Sequence, residues 1–146
     1  MSAPADARIL FPFFGERLSQ SALDAAIRLC KADGAMLIPA YLAEVPLNLP
    51  LDAALPRQAD EALGVLEAVE QRALGAGVPV DSRIERGRTH RHALLQLLGH
   101  ERYDRIVAAA QTRGGDGFSA EDIAWLLDHA SGEIVVLRAG DGGATG

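Results

Sequence analysis

Apolar residues along the chain follow two different periods, which alternate from the amino to the carboxyl end. Short runs of continuous or alternating apolar residues predict strands, and longer stretches with apolar residues every three or four positions predict amphipathic helices. Glycine or proline separates most of these segments. The predicted strands cover residues 8–14, 35–42, 78–85, 103–110 and 133–137, and the predicted helices cover residues 20–33, 57–74, 90–98 and 120–130.

The order of these segments predicts the fold class. Strands that alternate with helices favour a doubly wound α/β domain, because each crossover helix covers one face of a mostly parallel sheet. We therefore expect one α/β domain over residues 8–138. Residues 1–7 are expected to form an amino-terminal extension, and the glycine-rich residues 139–146 a disordered tail.

Proline breaks the pattern in two places. Pro39 lies inside the second predicted strand, so either the strand is bulged there or the missing N–H position faces away from a neighbouring strand. Residues 44–56 contain three prolines among leucines, which predicts an irregular connection between the second strand and the second helix.

Composition and charge narrow the classes of function. The net charge of −6 argues against binding to nucleic-acid backbones or to anionic membranes. The amino terminus lacks the pattern of a signal peptide, and no apolar run is long enough to span a bilayer, so we expect a cytoplasmic protein. Cys30 is the single cysteine and lies in a helical pattern, where a small buried apolar residue is expected.

Several segments, taken in order, resemble the universal stress protein family. Residues 9–16 read Ile-Leu-Phe-Pro-Phe-Phe-Gly-Glu, similar to the first strand and turn of the family, Ile-Leu-Val-Pro-Val-Asp-Gly-Ser. Residues 129–138 resemble its closing segment, His-Ala-Pro-Cys-Pro-Val-Leu-Val-Val-Arg, and residues 19–30, residues 75–81 and Gly87 fall on similar positions between them. The resemblance implies a Rossmann-like fold of the adenine nucleotide alpha hydrolase type, with the strand order 3-2-1-4-5.

The resemblance also implies where a nucleotide would lie and shows where this sequence departs from the ATP-binding pattern. Phe14 stands where those members carry an acidic residue, and Glu16 replaces a serine or threonine near the phosphates. At the start of the last helix, the expected Gly-Ser aligns with Ala120 and Glu121, which places a carboxylate where a phosphate would otherwise bind. We therefore expect no cofactor and no ATP binding. A divergent ATP or AMP binder that uses the glycine-rich loop after the fourth strand is the alternative.

The candidate ligand site follows the carboxyl ends of the predicted strands, where ligands collect in doubly wound sheets. Residues 112–119 could form a backbone anion nest, or they could be a flexible connector in which Ser119 caps the last helix. The candidate ligand-binding residues are Pro12, Phe13, Phe14, Leu42, Gly87, Ala109, Thr112, Arg113, Gly114, Gly115, Gly117 and Ser119. Phe14 is expected to fill part of the space of an adenine between the first and fourth strands.

A cluster of arginines interleaved with histidines, at and after the end of the third strand, is the second candidate site. Arg86, Arg88, His90 and Arg91 could bind a small anionic ligand or an acidic patch of a protein partner. Alternatively, these charges belong to a solvated edge strand and deter aggregation. His90 and His92 do not have the helical spacing of a metal site, and no catalytic set is visible, so we expect neither a metal nor an enzyme.

The last strand is expected to mediate assembly. Ile134, Val135, Val136 and Leu137 are continuously apolar, and family members commonly dimerise by pairing their last strands. The sequence therefore predicts a homodimeric stress-response or regulatory module without ATP. Besides the divergent nucleotide binder, an electron-transfer flavoprotein-like relative is a further alternative, although no cofactor cleft is evident.

Overall fold

The computed structural model describes residues 7–15, 18–112 and 117–138. Most of the predicted amino-terminal extension and the whole predicted tail lie outside the described residues, as do Glu16, Arg113, Gly114, Gly115 and Asp116. The strands are β1 (Arg8–Phe13), β2 (Met36–Glu44), β3 (Arg83–Gly87), β4 (Arg105–Ala110) and β5 (Glu133–Arg138). The helices are α1 (Gln20–Asp33), α2 (Pro56–Gly75), α3 (His90–His100) and α4 (Ala120–His129).

The five strands form one sheet in the order β3-β2-β1-β4-β5, and every pair of neighbours is parallel. This order confirms the doubly wound α/β class, and the sheet is entirely parallel. The order reverses between β1 and β4, because the chain builds outward from β1 to β3 and then returns to the other side of β1. Ligands in open α/β sheets bind at the carboxyl ends of the strands at such a reversal.

The helices cover both faces of the sheet, as predicted. Residues of α1 and α2 pack on one face with Phe11, Leu37 and Val107. Residues of α3 and α4 pack on the other face with Leu10, Ile38 and Ile106. Strands covered on both sides need apolar residues at consecutive positions, which explains the unbroken apolar runs of the sequence.

Cys30 lies in the first of these two cores and is 1% exposed, in agreement with the expected role. Burial raises the pKa of its thiol to about 12, and the nearby carboxylate of Asp33 contributes in the same direction. The thiolate is the nucleophilic form of cysteine, so both the burial and the raised pKa disfavour a reaction of this side chain at neutral pH.

The third strand begins later than the sequence predicted, and Pro39 gives the reason. Leu37 pairs with Val80 in an isolated bridge, but β2 and β3 pair regularly only from Ala40 and Arg83 onward. Pro39 has no N–H to donate in the gap between these two pairings. The carbonyl oxygen of Asp81 instead accepts a bond from Nη1 of Arg83 at 3.4 Å. On the side of β1 the register runs through Pro39 without a bulge.

Hydroxyl side chains begin three of the helices, as their positions in the sequence indicate. Ser19, Thr89 and Ser119 each accept a hydrogen bond from the backbone N–H three residues later. Among the described helices none is long and apolar enough to cross a membrane.

Candidate functional site

The candidate site lies at the carboxyl ends of β1 and β4, where the strand order reverses. Four of the residues expected to contact a ligand are part of the packed sheet instead of a surface. Pro12, Phe13, Leu42 and Ala109 are all buried. Phe13 points toward the face of α1 and α2, where its ring lies 5.9 Å from that of Phe11 and 5.8 Å from that of Tyr41.

Phe14 follows β1 and marks the edge of the site. Its ring is half-buried and stacks on the imidazole of His90, with centroids 4.3 Å apart and planes 3° from parallel. The ring of Phe118, which follows β4, meets Phe14 edge-on at 5.2 Å. The three rings therefore join the end of β1 to the start of α3 and to the segment before α4, beside the reversal point. Whether Phe14 occupies adenine space stays a prediction.

The segment between β4 and α4 folds back onto its own strand. The N–H of Phe118 donates to the carbonyl of Ala109 at 2.8 Å, and the N–H of Gln111 donates to the carbonyl of Phe118 at 2.8 Å. Gly117 has φ +115°, and an added Cβ would lie 2.8 Å from the carbonyl oxygen of Ala109. Only glycine fits there without strain. The turn itself thus requires this residue, independently of any ligand. Thr112, which precedes the turn, is half-buried. Gly114 and Gly115, between Thr112 and Gly117 in the sequence, lie outside the described residues.

Ser119 and Asp122 close the amino end of α4 in a reciprocal capping box. The hydroxyl of Ser119 accepts from the N–H of Asp122 at 3.1 Å, and the N–H of Ser119 donates to Oδ2 of Asp122 at 3.2 Å. The serine is thereby used in the way that the connector alternative predicted. Glu121 also lies in the first turn of α4, as predicted, but it is exposed, whereas Asp122 is the buried carboxylate at this helix end.

Asp122 is also the meeting point of α3 and α4. Its side chain is 9% exposed, and Oδ1 accepts from Nε of Arg91 at 2.6 Å while Oδ2 lies 2.8 Å from Nε2 of His90. Burial by itself would raise the pKa of this carboxyl group, but the hydrogen bonds from Arg91 and His90 and the bond from the N–H of Ser119 outweigh it and lower the pKa below its usual value. The amino end of α4 therefore holds an ionised group that belongs to the chain itself.

His90 links this carboxylate to the end of β2. Its Nδ1 lies 2.9 Å from Oε2 of Glu44, and its backbone N–H donates to the same oxygen at 3.1 Å. Three elements, β2, α3 and α4, are thus tied together through one imidazole. No group of three or more metal-ligating side chains was found among residues 7–15, 18–112 and 117–138.

The arginines of the predicted anion patch have partners within the chain. Arg86 donates to the carbonyl oxygens of Leu51 and Ala53. Arg88 donates to those of Pro46 and Leu49 at 2.6 and 2.7 Å. Both side chains therefore attach residues 45–55 to the end of β3 and to the turn that follows it, while His90 and Arg91 bond to Asp122. That these four residues take an external anion stays a prediction.

Close packing against α3 explains why residue 87 is a glycine. A Cβ at this position would lie 2.5 Å from the backbone nitrogen of Ala93 in α3. A side chain would force the helix away from the strand, so the close contact between α3 and the end of β3 accounts for the glycine.

Asp122, Glu44 and Phe118 are site residues that the sequence predictions did not include. The spacing of Ser119 and Asp122 matches a capping box and could have placed the carboxylate at the start of α4. Its partners are 31 and 32 residues away, and no local pattern connects them.

The predicted dimer strand is the edge strand β5. Within the described part of the chain it pairs only with β4. Ile134, Val135 and Leu137 are half-buried, and Val136 is 43% exposed. Its role in assembly stays a prediction.

Comparisons with known proteins show which family model and which solved structures this chain matches. The model of the universal stress protein family matches residues 7–138. A comparison with curated proteins found no match. Among solved structures, universal stress protein UspA from Lactobacillus plantarum superposes with a TM-score of 0.70 at 18% identity, covering 93% of this chain and 100% of that one.

Two other solved structures have the same fold. A universal stress protein family member from Burkholderia pseudomallei gives a TM-score of 0.64 at 20% identity, over 93% of this chain and 100% of that one. The universal stress protein from Archaeoglobus fulgidus in complex with dAMP gives 0.66 at 10% identity, over 90% and 98%. The match of the family model over nearly the whole chain, on a sheet with the order implied by the resemblance, shows that this chain belongs to the universal stress protein family.

Proposed function

We propose that this universal stress protein is a stress-response or regulatory module that works without ATP. The observation that supports the proposal is the buried carboxylate of Asp122 at the amino end of α4. A helix amino terminus attracts a phosphate because its free N–H groups and its dipole are positive. Here an ionised side chain already takes up part of that attraction and would repel a second anion.

Two neighbouring side chains that could donate hydrogen bonds to a phosphate are already bonded to this carboxylate. Arg91 and His90 lie next to the start of α4, where they could donate to a phosphate, but both bond to Asp122. A bound nucleotide would have to displace this carboxylate and leave it close to the phosphate. The proposal includes no cofactor, no enzymatic activity and a location in the cytoplasm.

Thermal unfolding in the presence of Mg-ATP tests the proposal. A ligand present at 100 times its dissociation constant adds about 2.7 kcal/mol of stability, which corresponds to several degrees for a domain of this size. We expect millimolar Mg-ATP to leave the melting temperature unchanged to within a degree, relative to magnesium chloride at equal ionic strength.

The Archaeoglobus fulgidus protein, titrated with dAMP, supplies a positive control because its structure contains that nucleotide. Native mass spectrometry of the purified chain complements the titration, since a nucleotide that copurifies would be detected directly. A shift of several degrees, or a nucleotide in the native spectrum, would support the divergent ATP or AMP binder instead.

The proposal also includes a homodimer formed through β5. The middle of this edge strand is apolar and partly exposed, while its outer backbone groups have no partner strand in the described part of the chain. Pairing with the same strand of a second copy would satisfy those groups and cover the apolar side chains.

A further inference from the structure

Three hydrogen-bond donors from two different helices converge on one side chain at the reversal point of the sheet. Arg91 and His90 belong to the first turn of α3, and the N–H of Ser119 begins α4. Their distances to the carboxylate oxygens of Asp122 are 2.6, 2.8 and 3.2 Å. The donors surround both oxygens, in the way that a protein binds a small free anion.

The arrangement exceeds what a helix cap requires. Capping of α4 needs only the reciprocal bonds between Ser119 and Asp122. The bonds from α3 are additional, and Asp122 supplies the only hydrogen bond of the Arg91 guanidinium found within the described residues. A carboxylate that served only as a cap would not need a cation from a second helix.

We propose that Asp122 is the built-in occupant of an anion pocket formed by Arg91, His90 and the N–H of Ser119, and that it determines specificity by keeping external anions out of this pocket. The class of ligand that the pocket accepts, once the side chain is removed, is a small oxyanion such as acetate, formate or inorganic phosphate. This inference deepens the proposed absence of ATP binding and rests on it, because it names the group responsible.

The test is rescue of a variant by free anions. In Asp122→Ala we expect the three donors to keep their positions, while the side chain no longer fills the space between them. We expect its melting temperature to fall by about 10 °C, because a partly buried charge on Arg91 loses its partner. Sodium acetate or formate should restore several degrees, with a dissociation constant on the order of 1 to 10 mM. Sodium chloride at equal ionic strength should restore much less.

Asp122→Asn is the matched variant, since its carboxamide fills the same space without the charge. We expect no gain from acetate in Asp122→Asn or in the wild type. Nuclear magnetic resonance locates the binding: in Asp122→Ala the N–H signals of Ser119 and of Nε of Arg91 should move with acetate concentration, and adding Arg91→Ala should abolish the rescue. If Asp122→Ala does not fold, Asp122→Ser, which keeps a polar group in the first turn, serves in its place.

Equal stabilisation of all variants by acetate and chloride would overturn the inference, as would signal changes confined to other parts of the chain. The titration of the wild type with Mg-ATP separates the two proposals. If neither Mg-ATP binds to the wild type nor acetate to the alanine variant, the inference about the pocket is wrong, while the absence of ATP binding still holds. If the wild type binds ATP, the proposed function itself fails.

Discussion

At the scale of single residues, the carboxylate of Asp122 places a negative charge at the candidate site. A buried carboxylate without partners would be costly, since taking a charge out of water costs several kcal/mol. Two side chains of α3 and one backbone N–H offset that cost here, so the ionised form is favoured. The carboxylate therefore stabilises the contact between α3 and α4 while it is charged, and the pH should control that contribution.

The first prediction concerns acid stability. Because the pKa of Asp122 is lowered in the fold, its contribution is fully present above the pKa of an unfolded aspartate, about 3.9, and is lost as the pH falls through the lower folded value. Asp122→Asn should cost about 1.5 to 3 kcal/mol at pH 7. The difference in stability between wild type and Asp122→Asn should narrow below pH 4, as measured by denaturant unfolding from pH 7 to pH 3.

Asp128→Asn is the control for this experiment, because Asp128 is an exposed residue of the same helix. Its pH profile should run parallel to that of the wild type. A gap between wild type and Asp122→Asn that stays constant into acid would mean that Asp122 is not held as an ion in the fold.

At the scale of elements, the connection between β2 and α2 depends on two arginines. Residues 45–55 carry several apolar side chains, and Leu47 is 86% exposed. Two short turns, closed by bonds from the N–H of Leu49 to Pro46 and from the N–H of Ala53 to Pro50, give the connection little order of its own. The bonds from Arg86 and Arg88 to its carbonyl oxygens attach it to the end of β3.

We predict that Arg88→Ala loosens this connection and leaves the sheet intact. The variant should lose about 1 to 3 kcal/mol of stability, since bonds from a charged donor are stronger than neutral ones. Hydrogen exchange should become faster at the N–H groups of Leu49 and Ala53 and stay unchanged in β1 and β4. Arg28→Ala, on the exposed side of α1, is the control and should change neither. Unchanged exchange at Leu49 in Arg88→Ala would contradict the role given to this arginine.

The secondary-structure elements could be predicted from the sequence, but the bonding partners of these arginines could not. The elements followed from the sequence because each period of apolar residues reflects local geometry, and the strand order followed from the resemblance. The start of β3 did not, because the pairing depends on Pro39 of a different strand. Similarly, three arginines and a histidine close together in the sequence predicted an anion patch, but whether each can bind a ligand depends on carbonyl and carboxylate oxygens from β2, the connection and α4. Such distant partners leave no periodic signal.

At the scale of the whole molecule, the two edges of the sheet differ in character. The edge strand β3 carries Arg83, Glu85 and Arg86, and such charges oppose pairing with another strand. The edge strand β5 carries Ile134 to Leu137 without a charge between its ends. We therefore expect a second copy of the chain to pair through β5, in antiparallel strands related by a two-fold axis that would bring Val136 near its counterpart.

The last prediction is that Val136→Lys converts the dimer into a monomer. Wild type should scatter light as a particle of twice the 15.4 kDa chain mass at tens of micromolar. Two lysines facing each other across the axis would repel, and added salt should weaken the dissociation because it screens both charges. Leu63→Lys adds the same charge at a 59% exposed leucine of α2, a helix that packs on β2, and should stay dimeric. A wild type that is monomeric at these concentrations would leave β5 without its proposed partner, and equal dissociation of both variants would place the interface elsewhere.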